Sequence, residues 1–232
     1  MKKKKELQIS IQKKVCEGVS GWLLFEFSCF RGLLFNEKYL SYPIGQILNS
    51  ATQYKTHSEV NHPFSNGGKG RPLQVDFVLK EGEENWKLAF ESKWVGDSMI
   101  SLGSLIWDLI RLQNLHSQYT GLRCYFVLAG FDKKLNVLLS DFDICYDENS
   151  IKENSLTKVN STYLMFNLFK LDDGSRSFIN EKIEKYSKFG LFSRITCRPA
   201  HKFPKKDVVN MTFSTYVFEV CKPDMTHRIE KL

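Results

Sequence analysis

The stretch VDFVLKEGEENWKLAFESKW, residues 75–94, constrains the fold more than any other part of the chain. Two apolar runs flank the turn-forming cluster 82–85, which reads as an antiparallel pair of strands over roughly 74–80 and 86–94. Setting Glu81 opposite Trp86 places Leu79 against Leu88, Phe77 against Phe90 and Asp76 against Glu91, with no bulge. Opposed residues share a face, and faces alternate along each strand. Val75, Phe77, Leu79, Leu88 and Phe90 then form a core face, which leaves Asp76, Glu91 and Lys93 together on the other. Charges are kept out of such runs unless they are paired, exposed or functional.

The surrounding pattern fixes an order of elements. Residues 6–33 read as largely helical with a break near Gly18 to Gly21. A second helix follows in NEKYLSYPIGQILNS, capped by Asn36 and bent or divided by Pro43. YKTHSEVNHPF has strand character, and SNGGKGRP is a loop into the hairpin. Beyond the hairpin, Leu102, Leu105, Ile106, Leu109 and Leu112 make one helical stripe, and GLRCYFVLAG is an apolar strand fit for the middle of a sheet. Strand, helix and strand in that order form a crossover with parallel strands. The core, residues 1–150, thus reads as an α/β fold of helix, three strands, helix and strand behind a helical N-terminus. Residues 151–232 read as an α+β extension, with strands in TYLMFNLFKL, RITCRPAHKF and MTFSTYVFEV around a helix in SFINEKIEKYSKF.

Two carboxylates opposed in an antiparallel ladder repel each other across about 5 Å. A divalent cation resolves that repulsion, since Mg²⁺ takes one or two carboxylates, several waters and phosphate oxygens. Lys93 points the same way from the same strand, where it can orient or help deprotonate a metal-bound water, or offset transition-state charge. The competing reading is a solvated strand face on which Lys93 neutralises the carboxylates.

Asp76, then Glu91-Ser92-Lys93 on the next strand, within that order of elements, resembles the PD-(D/E)XK nuclease superfamily over roughly residues 36–130. The resemblance implies a restriction-endonuclease-like core with a mixed sheet, and hydrolysis of phosphodiester bonds in nucleic acid, DNA ahead of RNA and internal sites ahead of ends. It implies that Asp76, Glu91 and the Ser92 main-chain carbonyl hold Mg²⁺, with Mn²⁺ as a substitute, and that Lys93 is the catalytic lysine. Val75 stands where the name-giving proline would be, and Gln113 and Tyr119 lack the spacing of the exonuclease signature. Such folds commonly add an acid from the preceding helix. Glu37 is the first candidate, Glu59 the second and Glu26 the third. Lys69 and Arg71 in the loop, and Arg111 and Gln113 on the helix after the hairpin, are candidate nucleic-acid contacts. For Arg111 the competing assignment is a surface pair with Asp108. A homodimer is common in the superfamily, though no residue here marks its surface.

Charge and composition narrow the alternatives. The net charge of +7, from 33 Lys plus Arg against 26 Asp plus Glu, fits a polyanionic partner. Six cysteines without a C-x-x-C pair suggest neither zinc nor disulfides, and point to reduced thiols in a cytoplasmic protein. The apolar stretch 19–35 is interrupted by Glu26 and Arg31, which favours a buried helix over a membrane span. NGGKGRP lacks the Gly-Lys-Ser/Thr of a phosphate loop, His57 and His62 have no cysteine nearby, and no G-x-S-x-G appears. Two rival functions are a catalytically inactive nucleic-acid-binding or scaffold protein that retains the fold, and a protein-binding module with a chance charge pattern.

Overall fold

A computed structural model describes residues 10–65, 72–96, 100–141, 156–159, 163–204 and 213–232. In chain order the elements are α1 (Ile11–Ser28), α2 (Glu37–Ala51), β1 (Lys55–Asn61), β2 (Gln74–Glu81), β3 (Asn85–Val95), α3 (Leu102–Leu115), β4 (Arg123–Phe131) and α4 (Asp132–Asp141). There follow β5 (Thr157–Val159), β6 (Leu164–Asn167), α5 (Asp173–Lys185), β7 (Leu191–Phe192), β8 (Arg194–Phe203), β9 (Phe213–Val220) and β10 (Arg228–Ile229). Eight strands make one sheet in the order β1-β2-β3-β4-β9-β8-β6-β5, and β7 pairs with β10 apart from it. Every neighbouring pair in the large sheet is antiparallel except β3 and β4, which the α3 crossover makes parallel. The chain is therefore α/β with a mixed sheet, and α2-β1-β2-β3-α3-β4 follows the expected order. The expected extension is continuous with this sheet, because β9 pairs with β4 along its whole length.

Each face of the sheet carries its own apolar layer. Val15, Val19 and Leu23 of α1 and Leu40, Ile44 and Leu48 of α2 pack on Phe77, Leu79, Leu88 and Phe90. The other layer joins Leu105, Ile106, Leu109 and Leu112 of α3 to Val78, Ala89, Phe126 and Phe218. Val75 belongs to this second layer, not with Phe77 as strict alternation requires. The departure coincides with Glu59, which lies between the β1–β2 partners Ser58↔Phe77 and Val60↔Val75 and has a left-handed backbone, φ 50°.

Helix α1 runs unbroken through Gly18 and Gly21, against expectation. Gly18 serves close approach to α2: a Cβ there would lie 2.6 Å from Ile47 Cδ1. Asn36 caps α2 by accepting from the Tyr39 N–H at 3.0 Å, and Pro43 is accommodated inside the helix without dividing it. The hairpin register holds at Phe77↔Phe90 and Leu79↔Leu88, but Lys80 pairs with Trp86 and Glu81 with Asn85. A bulge therefore absorbs Lys87, and the loop is one residue tighter than the bulge-free ladder. No described helix is long and apolar enough to cross a membrane.

His62, which follows β1, is locked in its neutral form. Its Nδ1 accepts from the Phe64 N–H at 3.1 Å, so the ring proton sits on Nε2, 3.2 Å from the Arg111 main-chain carbonyl. Burial pushes its pKa down from 6.5 to about 3, with the Arg111 carbonyl pulling the other way. As the pH falls through this window the unfolded chain takes up a proton that the native chain refuses, so stability is lost on acidification. His62→Gln is expected to flatten the dependence of unfolding free energy on pH between about 6 and 4, by up to about 1.4 kcal/mol per pH unit. Urea titrations across that range measure it. An unchanged slope would show that His62 is not the group responsible.

Candidate active site

The site forms where β2 and β3 part company. The last ladder pair between them is Phe77↔Phe90. One residue on, the Asp76 carboxylate takes over: its Oδ2 accepts from both the Ser92 N–H and the Ser92 hydroxyl, each at 2.7 Å. Glu91 and Lys93 stand on the opposite face of β3 from Ser92, towards α3.

That face is covered, not solvated. Helix α3 is buried along almost its entire length, and it carries Asp108 and Arg111 one turn apart into the space above β3. Arg111 Nη2 lies 2.7 Å from Glu91 Oε1, and its Nη1 donates to Asp108 Oδ1 at 3.0 Å. Lys93 Nζ bridges Asp108 Oδ2 at 3.0 Å and Glu37 Oε2 at 3.2 Å. Arg111 Nη2 also donates to the Gln74 main-chain carbonyl. The result is a continuous charged chain, Glu37–Lys93–Asp108–Arg111–Glu91, with Asp76 beside it. Glu37 enters from the first turn of α2, where the helix dipole favours an acid, and its half-exposed side chain marks the open end.

Charge does not balance inside this cluster. Among the described residues four carboxylates (Glu37, Asp76, Glu91, Asp108) meet two cations (Lys93, Arg111), a formal surplus of two negative charges. Glu91 is only 3% exposed, and burial pushes its carboxyl well above the usual range even with Arg111 pulling it down. Burial likewise raises Asp76, against the two Ser92 hydrogen bonds. Burial works against the Lys93 ammonium too, but Asp108 and Glu37 outweigh it and hold the proton more firmly than on a free lysine. Lys93 therefore stands in the cluster as a positive charge held between two carboxylates.

Do these residues suit a divalent cation? Among the described residues no three His, Cys, Asp or Glu side chains converge as a ready metal site. The reason is visible: the chain's own cations stand between the carboxylates. Arg111 Nη2 meets Glu91 Oε1 as an ion pair without the alignment of a hydrogen bond. Glu91 Oε1 and Arg111 Nε are both buried without a hydrogen-bond partner. A formal surplus of two negative charges and an all-oxygen donor set suit a hard cation such as Mg²⁺.

Of the expected residues, the fold brings Asp76, Glu91, Ser92, Lys93 and Glu37 together. Glu59 is exposed on β1 and is not among the side chains buried in the cluster. Glu26 is buried at the end of α1, where Arg31 and Tyr39 satisfy it, so it clamps α1 to α2. Two assignments need correction. Gln113 is 1% exposed and donates to the Arg194 carbonyl, so it ties α3 to β8 and cannot reach a phosphate. Arg111 does pair with Asp108, but the pair is buried in the cluster and not on the surface, and the guanidinium is not an open phosphate contact. Lys69 and Arg71 lie outside the described residues. Asp108 was missed as a site residue; its signal was an Asp and an Arg three apart within an otherwise apolar helix following the catalytic-looking strand.

Comparison with protein-family models, with curated proteins and with solved structures finds no match.

Proposed function

We propose that this chain is a metal-dependent nuclease with a restriction-endonuclease-like core, hydrolysing phosphodiester bonds in DNA ahead of RNA. One observation carries the reading: Asp76, Glu91 and Lys93, at the parting of two adjacent strands, share a cluster with excess negative charge that opens at Glu37. Asp76, Glu91 and the Ser92 main-chain carbonyl are the oxygens that would hold Mg²⁺ or Mn²⁺. When bound, the ion supplies an activated water and stabilises charge on the phosphate. Lys93 keeps its proton and offsets negative charge growing on the phosphate oxygens. Glu37 and Asp108 fix the direction of its ammonium from two sides. The Ser92 hydroxyl and N–H hold the Asp76 carboxylate in a single orientation. The net charge of +7 supplies phosphate affinity that carries no sequence information.

A second reading rests on one contact. Arg111 already occupies Glu91, as it would in a catalytically inactive nucleic-acid-binding or scaffold protein that keeps the fold. Cleavage of supercoiled plasmid and of short single- and double-stranded oligonucleotides in Mg²⁺, Mn²⁺ or EDTA separates the two. The nuclease reading expects cutting that EDTA abolishes and that disappears in Asp76→Ala and Lys93→Ala chains still folded by circular dichroism. Salt-sensitive binding without cutting in any metal would favour the inactive protein.

A further inference from the structure

Helix α1 ends in a conformation that its sequence does not favour. The Arg31 N–H bonds to the Glu26 carbonyl and the Phe30 N–H to the Phe27 carbonyl, both at 3.0 Å. This is the Schellman ending, whose left-handed residue is usually glycine. Here that residue is Phe30, with φ 61°. A bulky residue in this region is an outlier, and such strain gathers at functional sites. The strain also gains no burial, because Phe30 is 96% exposed and Leu33 beside it is 100% exposed. The pair of buried Glu26 with exposed Arg31 fixes the turn that presents them.

Behind these two side chains lies a cavity of about 610 Å³, walled by the rings of Phe27, Phe35, Trp94 and Phe131. Phe213 packs against all four, with ring centroids 5.2–6.2 Å away, so the wall is preformed. The lining residue Asn36 is the chain neighbour of Glu37, which brings the cavity to the open end of the charged cluster, while Trp94 lines it from the face of β3 opposite Lys93.

We infer that this cavity receives an unstacked nucleobase of the strand being cut, with Phe30 and Leu33 as the wedge that separates it from its neighbour. The inference rests on the nuclease reading and adds the form of the substrate: single-stranded, or locally opened. Three observations favour a base over other occupants. Ring faces give stacking that tolerates any base, as single-strand binders do. Apolar side chains held out in solvent are what minor-groove wedges insert between base steps. Finally, the cavity adjoins the open end of the charged cluster through Asn36, the chain neighbour of Glu37.

The test compares binding of a single-stranded oligonucleotide with an abasic strand of equal length, by fluorescence anisotropy. It is run in EDTA, and in Mg²⁺ on a non-cleaving Asp76→Asn background. Phe30→Gly removes the left-handed strain and Leu33→Ala touches an exposed side chain, so both chains should melt no lower than their parent. The normal strand should bind roughly tenfold or more tighter than the abasic one, a preference erased by Phe30→Gly with Leu33→Ala while the salt dependence stays unchanged. Equal binding of the two strands by a chain that still cleaves would overturn the inference and leave the nuclease reading standing. So would a preference that survives both substitutions. No salt-dependent binding to either strand, together with no cleavage, would remove both. A change in dimerisation or vesicle binding upon these substitutions, with oligonucleotide affinity unaltered, would assign the patch to a second copy or a membrane and overturn the base pocket.

Discussion

Lys93→Met is expected to slow phosphodiester cleavage by roughly 10²–10³-fold while leaving oligonucleotide affinity nearly unchanged. The ammonium lies between Asp108 and Glu37 at the rim of the cluster, with its proton held in place, so its contribution is positive charge aimed at the reacting phosphate. Charge that acts on the transition state shows in the rate constant, and charge that acts on the ground state shows in binding. Lys93→Arg should not restore the rate, because a planar fork is not the same donor as a point charge. Asp76→Asn sharpens the test. Its amide oxygen can still accept from the Ser92 N–H and hydroxyl, but one surplus negative charge is gone. Cleavage should fall to background while the metal-free chain becomes more stable, each kcal/mol gained raising Tm by about 2–4 °C. Single-turnover rates and thermal unfolding in EDTA read the two halves. A variant that loses activity and stability together would mean that Asp76 is structural.

Arg111→Met carries the largest expected effect on stability. Its guanidinium lies 2.7 Å from Glu91 Oε1 and donates to Asp108, and both carboxylates are buried. Removing one partner of a buried pair leaves an uncompensated charge, a loss of about 3–5 kcal/mol. Glu91→Gln combined with Arg111→Met should recover much of that loss, since it removes the stranded carboxylate too. Under the metal reading, Mg²⁺ should also restore stability to Arg111→Met, by about 2.7 kcal/mol at a hundred times its dissociation constant. Urea unfolding of the single and double variants, with Mg²⁺ or EDTA, measures all three quantities. Single-variant stability equal to that of the parent chain would show that Arg111 does not neutralise Glu91.

The hairpin was legible because alternation is local. Phe77, Leu79, Leu88 and Phe90 fall on one side as the pattern requires, and Glu91 and Lys93 on the other. Local alternation could not show the bulge at Lys87 or the twist that turns Val75 to the second layer, since both depend on how β1 and β3 seat against β2. Nor could it show that the charged face is covered. The apolar stripe of α3 suggests one buried side, yet α5 packs on α3 as well, and Asp108, Arg111 and Gln113 are enclosed. Gly18 misled for a similar reason: a glycine that breaks an isolated helix allows close approach in a packed one. Short α4 and the narrow pairing of β7 with β10 carry too few residues for a periodic signal.

Under the proposed function, a divalent cation offsets the surplus of carboxylate in the cluster. Calorimetric titration of Mn²⁺ into the metal-free chain, alongside Asp76→Asn and Glu91→Gln, tests it most directly. Saturable binding to the parent chain, a rise in its Tm with metal, and loss of both in each variant are the expected results. No heat of binding and no shift in Tm for the parent chain would contradict it, and would leave the Arg111–Glu91 contact as the permanent state of the cluster.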